Sequence, residues 1–146
     1  MLKTTLLTLM LLFTPIVHAA SQALIDADDN YRKAVQAKTV KEYTTAFNLF
    51  YKLSHQEFGK AQYNLAIMYE LGQGTKQNHE KSIYWLTEAV KLHDLDALTL
   101  LGELYYHGNG VIKDRKKAAK LIGEAKDRDY PKAVHLWKYY NLDKYN

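Results

Sequence analysis

Residues 70–78, ELGQGTKQN, return in altered form 36 residues later as residues 106–114, YHGNGVIKD. The blocks 61–96 and 97–132 align at this spacing, with small, aromatic and glycine positions in phase. A fixed period of this length is typical of solenoids, whose units stack because none of them can bury its apolar face alone. The chain is therefore predicted to contain at least two stacked copies of one structural unit.

Apolar residues recur at steps of three and four within each block. In the first block Ala61, Leu65 and Tyr69 fall on one face of a helix, and Leu86 and Ala89 do so further along. The second block repeats both patterns at the equivalent positions. We predict an all-α fold, an α–α superhelix (solenoid) of antiparallel helix pairs with about seven helices.

Each block also carries two glycines between its two helical patterns. They are Gly72 with Gly74 and Gly108 with Gly110. A phosphate-binding loop would need a preceding strand and either a third glycine or a Gly-Lys-Ser/Thr ending, and the sequence offers neither. We predict instead that the first glycine of each pair ends a helix in the left-handed conformation, and that Asn78 and Asp114 cap the next helix.

A further glycine lies inside a predicted helix. Gly102 aligns with Ala66 of the preceding block. Because a glycine within a helix costs about 1 kcal/mol relative to alanine, its presence indicates a neighbouring helix packed directly against it. We predict a close helix crossing at Gly102, which a leucine would overpack.

Residues 22–58 continue the pattern in weaker form and are predicted to be a degenerate N-terminal unit. Its second helix is predicted over 41–56, beginning after a capping-box pattern at residues 39–42. Its first helix is indicated by apolar residues at helical spacing, namely Leu24, Ala27, Tyr31, Ala34 and Val35.

At the other end, residues 131–141 are predicted to form a capping helix. Pro131 suits the first position of a helix. Lys138 stands at the position that small residues take in the two blocks. A lysine there cannot admit another close helix, so the array is predicted to stop after this element.

The first residues have the three-part layout of a secretory signal peptide. Lys3 precedes an apolar run over residues 6–17, and small residues follow it. We predict a signal peptide over residues 1–19, with cleavage after Ala19 or Ala20. The alternative is a retained membrane anchor, although the run is shorter than the roughly 20 residues that a membrane-spanning helix needs. Cleavage predicts a protein of the periplasm of a Gram-negative bacterium, or a secreted one, without a stable membrane anchor.

Composition argues against several functions. The net charge of +4 is mild, and the only basic run, at residues 113–117, is interrupted by an acidic residue, so nucleic acid is not a predicted partner. No cysteine is present, so disulfides and thiol chemistry are excluded. The six histidines show none of the spacings of a helical zinc site, and we predict no metal and no cofactor.

The order of small, aromatic, glycine and capping residues over 61–132 resembles the Sel-1-like repeat, a relative of the tetratricopeptide repeat. The sequence departs from that pattern at three points: Thr75 stands where valine is usual, Leu121 where tryptophan is usual, and His93 or Asp129 where glycine often ends the second helix. The resemblance implies one repeat domain over residues 20–146. It also implies an adaptor that binds a protein or peptide on the concave face formed by the first helices.

The geometry of the related repeats implies which residues of this chain would face such a partner. They are Tyr63, Ile67, Glu70, Thr99, Glu103, Tyr106, His135 and Tyr139. Twelve tyrosines is a high number for a chain of this length, and tyrosine favours interfaces because its side chain is broad, rigid and amphipathic. The alternative for any one of these tyrosines is that it fills a gap between helices.

Two functions follow as hypotheses. The first is a non-enzymatic scaffold or adaptor of the cell envelope, or, more specifically, an immunity protein that neutralises a toxin delivered to the periplasm. The second is a hydrolase of cell-wall material or β-lactams, in which Glu70, Glu103 and His107 or His135 would converge. Members of the family proposed to act on penicillin-like compounds are cysteine-rich, and this chain has no cysteine.

Overall fold

Helices account for 77% of the chain in the computed structural model, which describes the backbone of residues 2–145 and the side chains of residues 17–145. The elements are α1 (Leu2–Thr39), α2 (Tyr43–Ser54), α3 (Gly59–Leu71), α4 (His79–Lys91), α5 (Leu95–His107), α6 (Arg115–Lys126), α7 (Pro131–Tyr139) and a final 3₁₀ turn (Leu142–Tyr145). The described residues contain no strand. The predicted all-α solenoid with seven helices is confirmed.

Each helix packs against the next one along the chain, and the tightest pairs are α3 with α4 and α5 with α6. Helices that are separated by one other helix in the chain contact each other mainly through long side chains. For example, Nζ of Lys38 on α1 donates a hydrogen bond to Asn64 of α3. The odd-numbered helices therefore form one layer, which we call the first-helix layer, and α2, α4 and α6 form the second. Alanines at the crossings are fully buried and let the backbones approach; they are Ala46, Ala61, Ala66, Ala89, Ala97, Ala118, Ala125 and Ala133.

The glycine pairs form turns, as predicted. Gly72 and Gly108 end α3 and α5 with φ of 65° and 80°, in the left-handed region. The side chains of Asn78 and Asp114 then cap α4 and α6, each accepting a hydrogen bond of 2.9 Å from a backbone amide three residues on. The two repeats thus share one turn structure, built from the same residue types at the same positions.

The predicted capping box before α2 is wrong. Thr39 is the last residue of α1, and its hydroxyl donates a hydrogen bond of 2.9 Å to the carbonyl of Val35 within that helix. The chain reverses at Lys41, which takes a φ of 65°. Glu42 is the N-cap of α2, and its side chain makes no capping hydrogen bond. Of the four residues that resembled a capping box, Thr39 therefore ends α1, and residues 40–42 form the turn before α2.

The described side chains at the start of α1 lie outside the core. Residues 17–26 are all exposed, and Ala27 is the first to pack against the core. Of the apolar residues that indicated this helix, Ala34 is fully buried, whereas Leu24 and Val35 are 73% and 39% exposed. Within the described residues no helix is both long and apolar enough to cross a membrane. The signal peptide over residues 1–19 stays a prediction, and the side chains of residues 1–16 lie outside the described part.

The C-terminal residues fold back onto α7 and α6. The indole of Trp137 donates a hydrogen bond of 2.9 Å to the carboxylate of Asp143, and Leu142 is fully buried. Lys138 is exposed, as expected for a position that faces no further helix. Among the described residues, α7 and the short turn together cover α6.

Candidate functional site

Three tyrosines and two aspartates come together on the first-helix layer near the turns that join the repeats. We call Tyr31, Tyr63, Asp94, Asp96 and Tyr130 the tyrosine–aspartate cluster. The hydroxyl of Tyr130, which precedes α7, donates a hydrogen bond to the carboxylate of Asp96 in the first turn of α5. Tyr63 of α3 is close enough to Asp96, Asp94 and Tyr31 for their charges to act on it. Four consecutive first helices thus contribute to one surface.

The acid–base properties of the tyrosine–aspartate cluster reflect its burial and its negative charge. The hydrogen bond to Asp96, followed by burial, raises the pKa of Tyr130 to about 12. Burial, followed by the charge of Asp96, raises the pKa of Tyr63. Burial also raises the pKa of the Asp94 carboxyl, although this group accepts a hydrogen bond of 2.9 Å from the Ala97 amide as the N-cap of α5. The hydroxyls therefore stay protonated at neutral pH beside carboxylates.

An open groove of about 560 Å³ adjoins the tyrosine–aspartate cluster. Its walls come from the end of the α2–α3 turn and the start of α3, with Phe58 and Lys60, and from the α4–α5 turn, with His93 and Asp94. Tyr130 and Asp96 also line it. The groove combines an aromatic surface with carboxylates and is open to solvent along one side.

A second aromatic group covers the end of α5. The rings of Tyr106 and Tyr140 stack with centroids 4.0 Å apart, and Nε2 of His107 lies 3.0 Å from the Tyr140 hydroxyl. Tyr139 is 73% exposed and stacks on His135 at 6.0 Å. We call these five residues the C-terminal aromatic group. Tyr106 therefore packs the end of α5 against Tyr140, which follows α7, whereas the side chains of Tyr139 and His135 are exposed to solvent.

Glu103 lies between the two groups. Its carboxylate is 2.9 Å from Nζ of Lys132 on α7 and forms an ion pair that is partly shielded from solvent. Its charge also acts on the hydroxyls of Tyr63 and Tyr140. Glu103 therefore joins α5 to α7, and Lys132 balances its charge on the face that the first helices present.

Of the eight residues predicted to face a partner, five are half-buried on the first-helix layer and two are exposed. The half-buried residues are Tyr63, Ile67, Glu70, Glu103 and Tyr106, and the exposed ones are His135 and Tyr139. Thr99 is the exception and a correction. It is fully buried, and its hydroxyl donates 2.6 Å to the carbonyl of Leu95 within α5. A short side chain at this position lies beneath its neighbours, whereas the tyrosine at the equivalent position, Tyr63, reaches past them.

Five residues of these groups were not among the predicted site residues. They are Tyr31, Asp94, Asp96, Tyr130 and Tyr140. Asp94 precedes a helical pattern and has the chemistry of an N-cap, a signal that the sequence did contain. Tyr31 belongs to the degenerate unit, and Tyr130 and Tyr140 flank the capping helix. Tyr31 and Tyr140 lie outside the two full repeats, and Tyr130 aligns with Asp94, whose side chain has a different chemistry, so their contacts could not be inferred from the repeat.

The four residues required by the hydrolase hypothesis are divided among different partners. Glu70 pairs with His79 at 2.9 Å, and Glu103 pairs with Lys132. His107 contacts Tyr140, and His135 stacks on Tyr139. Among the side chains of residues 17–145, no three of the His, Asp and Glu type are grouped so as to hold a metal ion.

The helix pairs, their glycine turns and the aromatic surface of the first-helix layer define an α-solenoid repeat protein. The model of the Sel1 repeat matches residues 59–94, 95–130 and 119–139, which together span more than half of the chain. The chain therefore belongs to the Sel1 repeat family, and the resemblance inferred from the sequence is confirmed. Proteins of this family are typically protein–protein interaction modules.

Similar proteins come from a virus and from bacteria. A putative sel1-like repeat-containing protein of Acanthamoeba polyphaga mimivirus is 37% identical over 71 residues, which are 49% of this chain and 13% of that protein. A Sel1 repeat protein from Oxalobacter formigenes, known from its crystal structure, is 28% identical with a TM-score of 0.67. That alignment covers 69% of this chain and 43% of the other.

Two further solved structures share the fold at 23% identity. One is a protective antigen present in uropathogenic Escherichia coli strains, with a TM-score of 0.72 over 85% of this chain and 27% of that one. The other is Helicobacter pylori cysteine rich protein B, with a TM-score of 0.60 over 76% of this chain and 94% of that one. This chain thus spans a small part of the viral relative and less than half of two of the three structural relatives.

Proposed function

We propose that this protein is an exported interaction module that binds a protein or peptide partner on its first-helix layer. The tyrosine–aspartate cluster is the observation that carries the proposal. It presents aromatic rings and carboxylates from α1, α3, α5 and the start of α7 next to an open groove. Tyrosine supplies broad contact area at low entropic cost, and it is enriched at protein interfaces.

The charge of this surface indicates what the partner presents. Asp94, Asp96 and Glu103 all act on the Tyr63 hydroxyl, so the partly exposed ring of Tyr63 lies in a negative field, which Lys60 beside Asp94 and Lys132 beside Glu103 reduce. A lysine or arginine side chain of the partner would contact both the ring face and the carboxylates. The proposed partner therefore carries a basic side chain at the point of contact.

Export to the periplasm, or secretion, from a Gram-negative bacterium is part of the proposal. It rests on the signal-peptide pattern of residues 1–19. Within the segment that cleavage would remove, the described side chains, those of residues 17–20, are exposed.

A more specific form of the proposal is an immunity protein that neutralises a toxin in the periplasm. The small size of the chain and its acidic aromatic surface suit the capture of a basic toxin. A toxin gene beside the gene for this protein would support this form, and a position within an envelope-assembly operon would support a scaffold instead. The hydrolase hypothesis is not favoured, because its four residues take separate partners.

The test of the binding site compares two tyrosine variants. Wild type, Tyr63→Ala and Tyr84→Ala are used to capture partners from a periplasmic extract, and the affinity for the captured protein is then measured by calorimetry after purification. Tyr84 is a matched control because it is 56% exposed and lies on α4, in the second layer. We expect Tyr63→Ala to weaken binding about tenfold or more, as for a residue at the centre of an interface, and Tyr84→Ala to bind as wild type does.

Circular dichroism provides the check that both variants keep their helices. If Tyr63→Ala binds the partner as tightly as wild type does, the site does not lie on the first-helix layer.

A further inference from the structure

The basic residues of this chain are concentrated at one turn. Residues 113–120, KDRKKAAK, contain five basic residues and one acidic residue, a net charge of +4 that equals the net charge of the whole chain. The equivalent segment of the preceding repeat, residues 77–84, is QNHEKSIY, with one basic and one acidic residue and no net charge. Because both segments form the same turn and helix start, the repeat fold does not require this charge.

The positive charges at this turn also destabilise α6, the helix that begins there. Arg115, Lys116 and Lys117 form the first turn of α6, which contains no acidic residue. The N-terminal end of a helix carries a partial positive charge and favours acidic residues. The first turns of α4 and α5 follow this rule with Glu80 and Asp96, whereas those of α2, α3 and α7 contain no acidic residue and at most one cation. A run of cations at the start of α6 is therefore unfavourable for folding and is explained better by a role outside the fold.

Two of the five basic residues are engaged in the structure, and three are not. Nζ of Lys117 donates 2.7 Å to the Tyr105 hydroxyl, and Arg115 donates 3.1 Å to the Tyr145 hydroxyl. The other three form no hydrogen bond or ion pair with any described residue and are exposed; they are Lys113, Lys116 and Lys120. Lys116 and Lys120 are four residues apart on α6 and so lie on one face of it.

An apolar side chain stands at the tip of the same turn. Ile112 is 92% exposed, more than any other large hydrophobic residue among the described side chains. It lines an open groove with Lys113 and Lys116. Its equivalent in the preceding repeat is Lys76, so an isoleucine is not needed for the turn. An exposed isoleucine flanked by lysines combines the two interactions that hold a protein at a lipid surface, insertion of an apolar side chain and attraction to anionic headgroups.

We propose that Ile112, Lys113, Lys116 and Lys120, which we call the basic tip, contact the surface of an anionic lipid bilayer. Its three lysines, together with the exposed side chains of Arg115 and Lys117 at the same turn, carry the positive charge that attracts anionic lipid headgroups. The contact is peripheral and reversible, since a few charges and one apolar side chain give weak binding compared with a spanning helix.

This contact would leave the proposed partner site free. The basic tip follows the C-terminal end of α5, whereas Asp94 and Asp96 lie at the N-terminal end of the same helix. At a rise of about 1.5 Å per residue, the 13-residue helix separates the two ends by roughly 20 Å. A molecule held at a bilayer by its basic tip would thus direct the tyrosine–aspartate cluster away from the lipid.

The experiment measures sedimentation of the protein with lipid vesicles. Vesicles of phosphatidylcholine with phosphatidylglycerol are compared with vesicles of phosphatidylcholine alone, at low and at physiological salt. We expect wild type to bind the anionic vesicles only, and more weakly as salt increases. The triple variant Lys113→Gln, Lys116→Gln, Lys120→Gln is expected to bind roughly two orders of magnitude more weakly, and Ile112→Ser about tenfold more weakly.

A second triple variant controls for total charge. Lys33→Gln, Lys52→Gln, Lys76→Gln removes the same number of exposed lysines outside the basic tip and should bind nearly as wild type does. All the altered side chains are exposed, and melting curves will verify that the variants fold. The proposal is overturned if wild type does not bind anionic vesicles or if both triple variants lose binding equally. Release of the protein by millimolar glycerol phosphate would overturn it too, because a site for a small anion would then explain the binding.

Discussion

Gly102 on α5 lies directly against Ile122 on α6. A Cβ atom added to Gly102 would be 2.6 Å from Cγ1 of Ile122 and 3.3 Å from the carbonyl oxygen of Ala118. Neither group can move away easily, because the Ile122 side chain is fully buried and the Ala118 carbonyl is part of the backbone of α6. The close crossing that the sequence predicted at Gly102 is therefore present, and it fixes the distance between the two helices of the second repeat.

Substitution of Gly102 by leucine should destabilise the protein. We expect Gly102→Leu to lower the free energy of unfolding by about 1–3 kcal/mol, because the added side chain forces the crossing apart. Lys138 occupies the equivalent position of α7 but is exposed. Lys138→Leu is therefore a matched control that should change stability by less than about 0.5 kcal/mol. Urea unfolding followed by circular dichroism provides the measurement, and equal midpoints for Gly102→Leu and wild type would contradict the packing described.

The two turn glycines Gly74 and Gly110 should differ in their tolerance of alanine. Both have a φ of 70°, so the backbone strain of the substitution is the same. A Cβ atom on Gly74 would overlap the backbone carbonyl of Tyr43 at the start of α2, whereas one on Gly110 would be 3.1 Å from the flexible end of Ile83. We expect Gly110→Ala to cost about 1–2 kcal/mol from strain alone.

Gly74→Ala should cost at least about 1–3 kcal/mol more than Gly110→Ala, because the overlap with Tyr43 adds to the strain. Thermal melting of the two variants side by side gives the comparison. A larger loss for Gly110→Ala than for Gly74→Ala would show that the first repeat does not pack against α2 as described.

The repeat made the central part of the fold predictable. Once the 36-residue period was found, each position in one block constrained its equivalent in the other. Gly72 and Asn78 could be assigned to a helix end and a helix start because Gly108 and Asp114 supplied a second instance of the same pattern. Local residue chemistry and spacing are sufficient for such features, since they depend on neighbours within a few residues.

Features that depend on contacts between distant residues could not be predicted in the same way. Thr99 was assigned to the surface by its repeat position, yet the depth of that position depends on how far each side chain reaches. The pairing of Tyr130 with Asp96 joins residues 34 apart in the sequence, and no pattern connects them. The tyrosine–aspartate cluster therefore depends on the packing of four helices, and its members come from the degenerate N-terminal unit (Tyr31) and from both full repeats.

The capping side chains of the two repeats should each contribute measurably to stability. Asn78→Ala and Asp114→Ala each remove the acceptor of a 2.9 Å hydrogen bond from a backbone amide at a helix start. We expect each substitution to cost about 0.5–2 kcal/mol. Thr39→Ala serves as the control, because Thr39 ends α1 and does not cap α2. In chemical unfolding, both cap variants should have a lower free energy of unfolding than Thr39→Ala. If Thr39→Ala loses as much stability as Asp114→Ala, Thr39 does cap α2 and the description of this turn is wrong.

The hydrogen bond between Tyr130 and Asp96 should make stability depend on pH in the alkaline range. It raises the pKa of Tyr130 from 10.0 to about 12 in the folded protein. A group whose pKa is raised by folding contributes stability that is fully present below its unfolded pKa and is lost as pH increases through its folded pKa. The contribution of Tyr130 is therefore complete below pH 10 and disappears between pH 10 and about 12.

Tyr130→Phe removes both the hydrogen bond and the titration. The variant should be less stable than wild type at pH 8, and the difference should shrink between pH 10 and pH 12, because only wild type loses the contribution of Tyr130 there. Denaturant unfolding at a series of pH values measures the difference, and tyrosinate absorbance should lose one ionisation near pH 12 in the variant. A stability difference that stays constant across this range would mean that Tyr130 does not donate to the Asp96 carboxylate, and the tyrosine–aspartate cluster would then lack the contact that ties α5 to the start of α7.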